Sequence, residues 1–333
     1  MSDQYKAIVL NQEGENFKRE IKTIDKSFLK HGDVTVKVDY SDLNFKDGMI
    51  LKNGGRLVKE FPHIPGIDFA GKVLESENSK FKEGDEVILT GFRVGEIFFG
   101  GYSQIAKVNA DFLVKKPDSL STKQAMILGT AGFTSLMSAF AIQARESILL
   151  GEKVNDVLVT GATGGVGSVA IMALTKLGYN VTAVTGKDSK TDYLKSLGAK
   201  NIVNRAEFDK DPRLLDKGLW DGVVDTVGGK ILANTIVQTN PNGIIAVCGN
   251  VNTNELNTNV IPFMLRGIKL WGMDSANCSI KRRDFIWSEA SKLIDFDLLE
   301  KSIITVSLEE LIETYPKILK GEISGRVIVD LNK

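Results

Sequence analysis

The first third of the chain alternates apolar and polar positions in short stretches. Residues 6–10, 34–40, 68–75, 86–90 and 102–108 are β-branched or alternating, the period-2 pattern of strands with one buried face. Gly32, Gly66, Gly84 and the pair Gly100–Gly101 separate them. Many short strands divided by glycine turns predict a small barrel or sandwich.

The period changes near residue 120. Ser121 with Gln124 three positions on is a capping-box pair, which predicts a helix start ahead of the apolar run 125–142. Gly129 and Gly132 interrupt that run and predict a bend or a ligand-contacting turn inside it. From residue 155 strands and helices alternate. A strand at 156–160 leads through a glycine turn into a helix ending near Gly178, with Val166, Val169, Ala170, Ala173, Leu174 and Leu177 on one face. A strand at 180–185, a helix at 189–197 and strands at 201–204, 222–225, 243–248 and 269–272 follow. Six strands with intervening helices predict a doubly wound parallel sheet, hence an α/β fold. The tail reads as helices at 283–296 and 308–317 and a last strand at 326–331.

Composition narrows the class. The 42 basic and 42 acidic side chains cancel, which removes the electrostatic signature of a nucleic-acid binder. At roughly 150 residues per domain, 333 residues predict two domains. Cys248, Cys278, His31 and His63 are the only cysteines and histidines. Neither a disulfide framework nor a four-thiolate zinc site can be built from them. No stretch reads as the roughly 18 apolar residues of a membrane span, and residues 1–12 carry no signal-peptide core. The expected compartment is the cytoplasm. The two cysteines read as packing residues, and the two histidines, in turn-like sequence, as surface residues.

Chemistry enters at Gly161-Ala-Thr163-Gly164-Gly165-Val166-Gly167. A buried strand ends, the chain turns on glycines and a helix begins. Glycines let the backbone approach a pyrophosphate, and the helix N-terminus presents free N–H groups. The end of the next strand selects the cofactor. An NAD site typically carries Asp or Glu there to hold the ribose hydroxyl. This chain has Thr185, Gly186 and Lys187. A small residue leaves room for a 2′-phosphate and a lysine neutralises it, with Arg205 past the third strand as a second cation. NADPH is therefore the expected cofactor, and Asp188 is the residue that would reverse this if the strand ran longer.

That turn, set after an all-β first half, resembles the quinone oxidoreductase side of the medium-chain dehydrogenase/reductase superfamily. Residues 43–47 (Leu-Asn-Phe-Lys-Asp), 64–71 (Ile-Pro-Gly-Ile-Asp-Phe-Ala-Gly), 89–91, 129–134 (Gly-Thr-Ala-Gly-Phe-Thr), 224–228 (Val-Asp-Thr-Val-Gly) and 272–275 (Gly-Met-Asp-Ser) look like its YhdH/YhfP-type, acryloyl-CoA reductase-like branch. The resemblance implies a GroES-like β-rich catalytic domain over residues 1–125 and 300–333. It implies a Rossmann NADPH-binding domain over 126–299 and an active site in the cleft. It further implies metal-free reduction of an activated carbon–carbon double bond in an enoyl thioester or enone, with a quinone as the alternative acceptor. Zinc-dependent relatives carry Gly-His-Glu near the Pro-Gly turn, where this chain has Gly66-Ile67-Asp68. A homodimer through edge pairing of the sixth strand at 268–272 is implied too. A non-catalytic NADPH-binding scaffold is the alternative of another class.

The resemblance also implies roles. Asn44 is expected to donate to the substrate carbonyl or the nicotinamide ribose, and Asp47 to orient a donor or a water; both residue types also suit helix caps. Tyr40 is a candidate proton donor, or a packed strand-end tyrosine. Thr130 is expected at the nicotinamide end, and Arg326 to reach the cofactor from the returning C-terminal segment. Gly249 and Asn250 after the fifth strand, and Asp274–Ser275 after the sixth, fall at carboxyl ends of strands, where such sheets bind ligands. Phe98 and Phe99 stand where such proteins often carry His–Trp, and are expected as an apolar substrate wall. Lys281–Arg283 reads as a solvated helix start, with contact to a coenzyme A phosphate as the alternative.

Overall fold

The computed structural model describes residues 4–148, 150–251 and 253–333. In chain order its elements begin with β1 (Tyr5–Glu13), β2 (Asn16–Ile24), β3 (Val34–Asp42), α1 (Phe45–Asn53), β4 (Asp68–Ser76), β5 (Glu86–Thr90), β6 (Ile105–Val108), β7 (Val114–Lys115) and α2 (Thr122–Ile148). Next come β8 (Asp156–Val159), α3 (Gly165–Lys176), β9 (Asn180–Thr185), α4 (Thr191–Ser196), β10 (Asn201–Asn204), β11 (Trp220–Asp225), α5 (Gly229–Val237), β12 (Thr239–Val247), α6 (Ile261–Arg266) and β13 (Lys269–Gly272). The tail is α7 (Ile280–Leu293), α8 (Phe296–Glu300), β14 (Ile303–Val306), α9 (Leu308–Leu319) and β15 (Arg326–Asp330).

Two compact units result. The first takes the described residues up to Thr130 together with Ser275–Ser291 and Leu299–Lys333; the second takes Ala131–Asp274 and Lys292–Leu298. The sequence reading drew one domain over 126–299, whereas Ser275–Ser291 packs with the β-rich unit. The reason is Arg283, which is buried rather than solvated. Its guanidinium donates to Thr90 Oγ1 at 2.6 Å and to the carbonyls of Ser275, Ala276 and Cys278, and Phe92 N donates to Ala276 O.

In the β-rich unit the sheet order is β14-β15-β3-β4-β5-β7, with β6 also on β3. β3 pairs antiparallel with β6 over Val34–Lys37 and with β15 over Tyr40–Asp42. β1 and β2 form a separate antiparallel hairpin. β1 is buried on both faces: Ile8 and Leu10 join Val36, Phe69 and Val329 in one core, Ala7 and Val9 join Ile64 and Ile105 in another. β2 was not legible in the sequence because its residues are mostly polar and half or fully exposed. α9 starts on a capping box, Ser307 Oγ accepting from Glu310 N and Glu310 Oε2 from Ser307 N. It buries Leu308, Leu311 and Tyr315 at helical spacing. A Cβ at Gly48 would lie 2.9 Å from Ile318 Cγ2, so α1 and α9 pack closely and the start of α1 is held.

In the second unit the order β10-β9-β8-β11-β12-β13 is all parallel. This is the doubly wound order of a Rossmann sheet. Val157, Leu158, Val159, Val223, Val224, Ile244 and Ile245 are fully buried, as expected of strands covered on both faces. α2 has the length and hydropathy of a membrane span, which the sequence reading did not credit to any stretch. The most apolar part of it is 89% buried inside the protein, as in a core helix.

Candidate active site and nucleotide-binding turn

Strand register builds the polar centre of the β-rich unit. β3 and β15 pair Asp42 with Ile328, and two residues further along Arg326 comes level with Asn44. β3 and β4 pair Ser41 with Phe69, and one residue further Asp42 comes level with Asp68. Three strand ends thus converge just before α1, whose N-cap is Asn44. Asn44 Nδ2 donates to Asp42 Oδ1 at 2.8 Å and to Asp68 Oδ2 at 2.9 Å. Its Oδ1 accepts from Arg326 Nη1 at 3.2 Å, and Arg326 Nη2 pairs with Asp42 Oδ2. Asp47 accepts from the backbone N–H of Asn44 at 2.9 Å and of Ile67 at 3.0 Å. Thr130 clamps Asp68 with its N–H and its hydroxyl, both at 2.6 Å.

All four residues from the chain start, Asp42, Asn44, Asp47 and Asp68, are buried. Three carboxyls face one guanidinium in a medium that disfavours charge. Burial first, and then the Asp68 carboxylate, push Asp47 up to about 7 against the pull of its two N–H donors. Burial and Asp68 likewise push Asp42 upward, while Arg326 holds it back. Both shifts favour the protonated, neutral form of Asp42 and Asp47. Thr130, half-buried, is its least enclosed member.

Gly129 makes this convergence fit. It interrupts α2 with φ 50° and ψ −154°, and a Cβ there would overlap the Asp42 carboxylate and lie 2.8 Å from Arg326 Nη2.

Several sequence expectations need correction. Both amide hydrogens of Asn44 are spent on Asp42 and Asp68, so Asn44 joins carboxylates and does not donate to a substrate carbonyl. Arg326 is 3% exposed; it bonds Asp42, Asn44 and Ile127 O at 3.1 Å instead of reaching a cofactor. Tyr40 lies among Asp330, Lys123 and Asp39, away from the carboxyl group. The tyrosine beside that group is Tyr102, whose hydroxyl donates to Asp42 O at 2.8 Å. Phe98 packs on Phe112 and Phe99 stacks on Phe28, so these two rings are tucked onto the cores and do not form the expected substrate wall. His63 is buried, its Nε2 2.9 Å from Gly95 O and its ring edge-on to Phe99. Asp42, Asp68 and Tyr102 were missed.

The second unit holds the glycine turn. β8 ends at Val159, Gly161 turns at φ +58°, and Gly164 is the N-cap of α3. A Cβ at Gly161 would overlap Thr226 Oγ1, and one at Gly167 would lie 2.5 Å from Gly161 O and 2.8 Å from Ala162 Cα. Only glycine fits this close turn, which leaves the first N–H groups of α3 (Gly165, Val166, Gly167) directed at a concave backbone. Thr163 beside it is buried. Asp225 ties the turn to the sheet, accepting from Thr160 Oγ1 at 2.7 Å and Gly228 N at 2.8 Å. These residues fit a dinucleotide pyrophosphate.

β9 ends at Thr185, whose Oγ1 accepts from Lys187 N at 3.0 Å. A Cβ at Gly186 would lie 2.8 Å from Arg205 Nε, so Gly186, Lys187 and Arg205 come together. Asp188 opens a 3-10 turn beyond the strand and accepts from Asn204 Nδ2 at 3.3 Å; it does not stand at the strand end. Gly249 and Asn250 line a depression of about 450 Å³ with Val247, Cys248, Gly272, Met273 and Asp274. Burial, and then Asp225, push the Cys248 thiol up to about 12, so it is not a thiolate. Ser275 falls in the β-rich unit. Among the described residues no three His, Cys, Asp or Glu side chains gather as a metal-binding group.

Comparison with known proteins agrees with this architecture. Residues 30–118 match the alcohol dehydrogenase GroES-like domain family and residues 165–295 the zinc-binding dehydrogenase family. The acrylyl-CoA reductase AcuI of Ruegeria pomeroyi is 44% identical over 331 residues, covering 98% of this chain and 99% of that protein. The putative quinone oxidoreductase YhfP of Bacillus subtilis is 42% identical, covering 99% and 100%. The structure of the yhdH oxidoreductase from Salmonella enterica in complex with NADP superposes with a TM-score of 0.93 at 40% identity, covering 98% and 99%. The Bacillus subtilis yhfP structure with NAD bound gives 0.93 at 41%, covering 99% and 100%.

Proposed function

The chain belongs to the medium-chain dehydrogenase/reductase superfamily, in its acrylyl-CoA reductase-like branch, and from that premise we propose that it reduces the activated double bond of a small enoyl thioester with NADPH. The observation that carries the reading is the buried carboxyl group around Asn44, joined to 44% identity over nearly the whole length with an acrylyl-CoA reductase. The putative quinone oxidoreductase at 42% identity supports a quinone as the second reading.

Gly161–Gly167 and the start of α3 would hold the pyrophosphate; Gly186, Lys187 and Arg205 would hold the 2′-phosphate. When bound, the reduced nicotinamide supplies hydride to the electron-poor β-carbon. The chain's own residues then have two tasks. Negative charge developing on the thioester oxygen calls for fixed donors, and the α-carbon needs a proton. The Asp42–Asp47–Asp68 group meets the second requirement. It stores a proton in a dry setting, and the Thr130 hydroxyl, bonded to Asp68, is its half-exposed end. Asn44 and Arg326 fix the geometry of these carboxyls; Asn44 acts through them as a positioning residue.

The test is anaerobic NADPH oxidation with acryloyl-CoA and with simple quinones in parallel, with the acyl product identified. Acryloyl-CoA should be saturated stoichiometrically, with kcat/KM at least about tenfold above any quinone, about 1.4 kcal/mol of preferential transition-state binding. Prior chelation should leave the rate unchanged. A reversed preference, or loss of activity on chelation, would overturn the reading.

A further inference from the structure

The loop from Gly91 to Phe98 in the β-rich unit is held in an unfavourable shape. Phe92 and Arg93, neither of them glycine, take φ of 52° and 61° in succession. Such strain persists only where the surroundings over-determine it, and it gathers at functional sites. Here the surroundings are identifiable. Phe92 stacks on Phe112 at 5.0 Å, with the Arg283 guanidinium 4.4 Å from its ring centroid. The Arg93 carbonyl accepts from Glu96 N and Ile97 N. Gly95 lies so close to Gly66–Ile67 that a Cβ would come within 2.7 Å of the Gly66 carbonyl.

Ile67 N in turn is held by Asp47, so the loop is docked beside the first turn of α1. A second tie repeats this: Lys46 Nζ reaches Glu96 Oε1 at 2.8 Å. Arg93 Nε stands 3.6 Å from the other oxygen of the same carboxylate. Glu96 is 7% exposed, Lys46 37% and Arg93 48%. One buried carboxylate thus fixes two cations whose outer surfaces face solvent, leaving net positive charge on the rim. Phe45 and Ile97 flank them, 38% and 43% exposed. Apolar surface interleaved with two held cations, beside the first turn of α1, suits a ligand with a slender uncharged chain that ends in an anionic group.

We propose that the Phe45–Lys46 and Arg93–Ile97 rim receives the phosphopantetheine arm of a coenzyme A thioester. Phe45 and Ile97 cover the chain, Lys46 and Arg93 meet phosphate oxygens, and Glu96 is the positioning residue that holds both cations. This rests on the thioester reading above and deepens it: a quinone has no use for the rim.

The experiment compares kcat/KM for acryloyl-CoA with that for acryloyl-pantetheine, which lacks the phosphates. The wild type should favour the coenzyme A thioester, and Lys46→Met with Arg93→Met should cut that ratio about tenfold, in keeping with two partly exposed charge contacts. The loss should shrink in high salt. Glu96→Gln, which leaves both cations but removes the carboxylate that holds them, should lower the ratio by less than the double variant does. Calorimetric titration with coenzyme A itself reads the rim without turnover and should weaken about tenfold in the double variant. An unchanged ratio and unchanged coenzyme A binding in that variant would sink the proposal, as would a Glu96→Gln loss as large as that of the cations. Failure of the wild type to reduce either thioester would instead overturn the functional reading, with calorimetry still judging the rim.

Discussion

Gly186 leaves room for Arg205. Its missing Cβ is where the Arg205 side chain runs, and Lys187 follows directly, so two cations stand where an NAD site places a carboxylate. Charge-assisted contacts to phosphate are among the stronger hydrogen bonds. Lys187→Ala with Arg205→Ala should therefore raise the KM for NADPH at least about tenfold while leaving that for NADH within about twofold. Parallel steady-state kinetics with the two cofactors check this; an equal change for both would mean that the pair does not read the 2′-phosphate. The juxtaposition was foreseeable from the sequence because Gly186 and Lys187 follow the second strand about 20 residues past the glycine turn and Arg205 follows the next one. The carboxyl group was not. Asn44 is bonded to Arg326, 282 positions away, and Asp68 to Thr130, 62 away. A pattern read along the chain holds no trace of such partners, so Asn44 looked like a donor for substrate when its hydrogens were already committed.

Elements were more legible than their ties. The central parallel strands stand out because both faces are buried, which leaves runs of Val, Ile and Leu. The start of α2 was read from its capping pair, and its interruption at Gly129 was expected as a bend. The structure adds why glycine is required: φ of 50° with ψ of −154° is closed to other residues. The space a Cβ would need is occupied by Asp42 and Arg326. Gly129→Ala should cost about 2–4 kcal/mol, combining backbone strain with disturbance of a buried ion pair. Urea unfolding should show a lower midpoint at unchanged slope; a change under about 0.5 kcal/mol would contradict the packing argument. β2 escaped because a hairpin strand with little buried surface carries almost no hydrophobic period. The packing of Ser275–Ser291 with the β-rich unit, although the segment lies within the 165–295 stretch matched to the zinc-binding dehydrogenase family, was hidden for a related reason. Lys281-Arg282-Arg283 looks solvated, and nothing in the composition marks Arg283 as the one that is buried.

For the molecule as a whole, charge balance at zero conceals two local concentrations of cations, at Gly186–Arg205 and at the rim beside α1. Association is the other property at this scale. β13 is the last strand in its sheet, with Leu270 and Trp271 about 40% exposed and Met264 and Leu265 on α6 about 70% exposed. A sheet edge with apolar neighbours is a template for pairing. Light scattering should report a dimer of the chain, and Leu270→Lys with Trp271→Lys should yield monomer; a monomeric wild type would remove the edge-pairing expectation. The interleaved course of the chain has a different consequence, for synthesis. Arg326 and β15 are made after every strand of the second unit's sheet, yet they pair with β3 and supply the guanidinium that faces Asp42. On the ribosome the nascent β-rich unit therefore waits, its carboxyls without their cation, while residues 131–274 emerge as one continuous stretch with a complete six-stranded sheet. The β-rich unit starts before the other and is completed after it, and a transcript cut between codons 274 and 326 encodes the whole six-stranded sheet beside a β-rich unit that lacks β15 and its guanidinium.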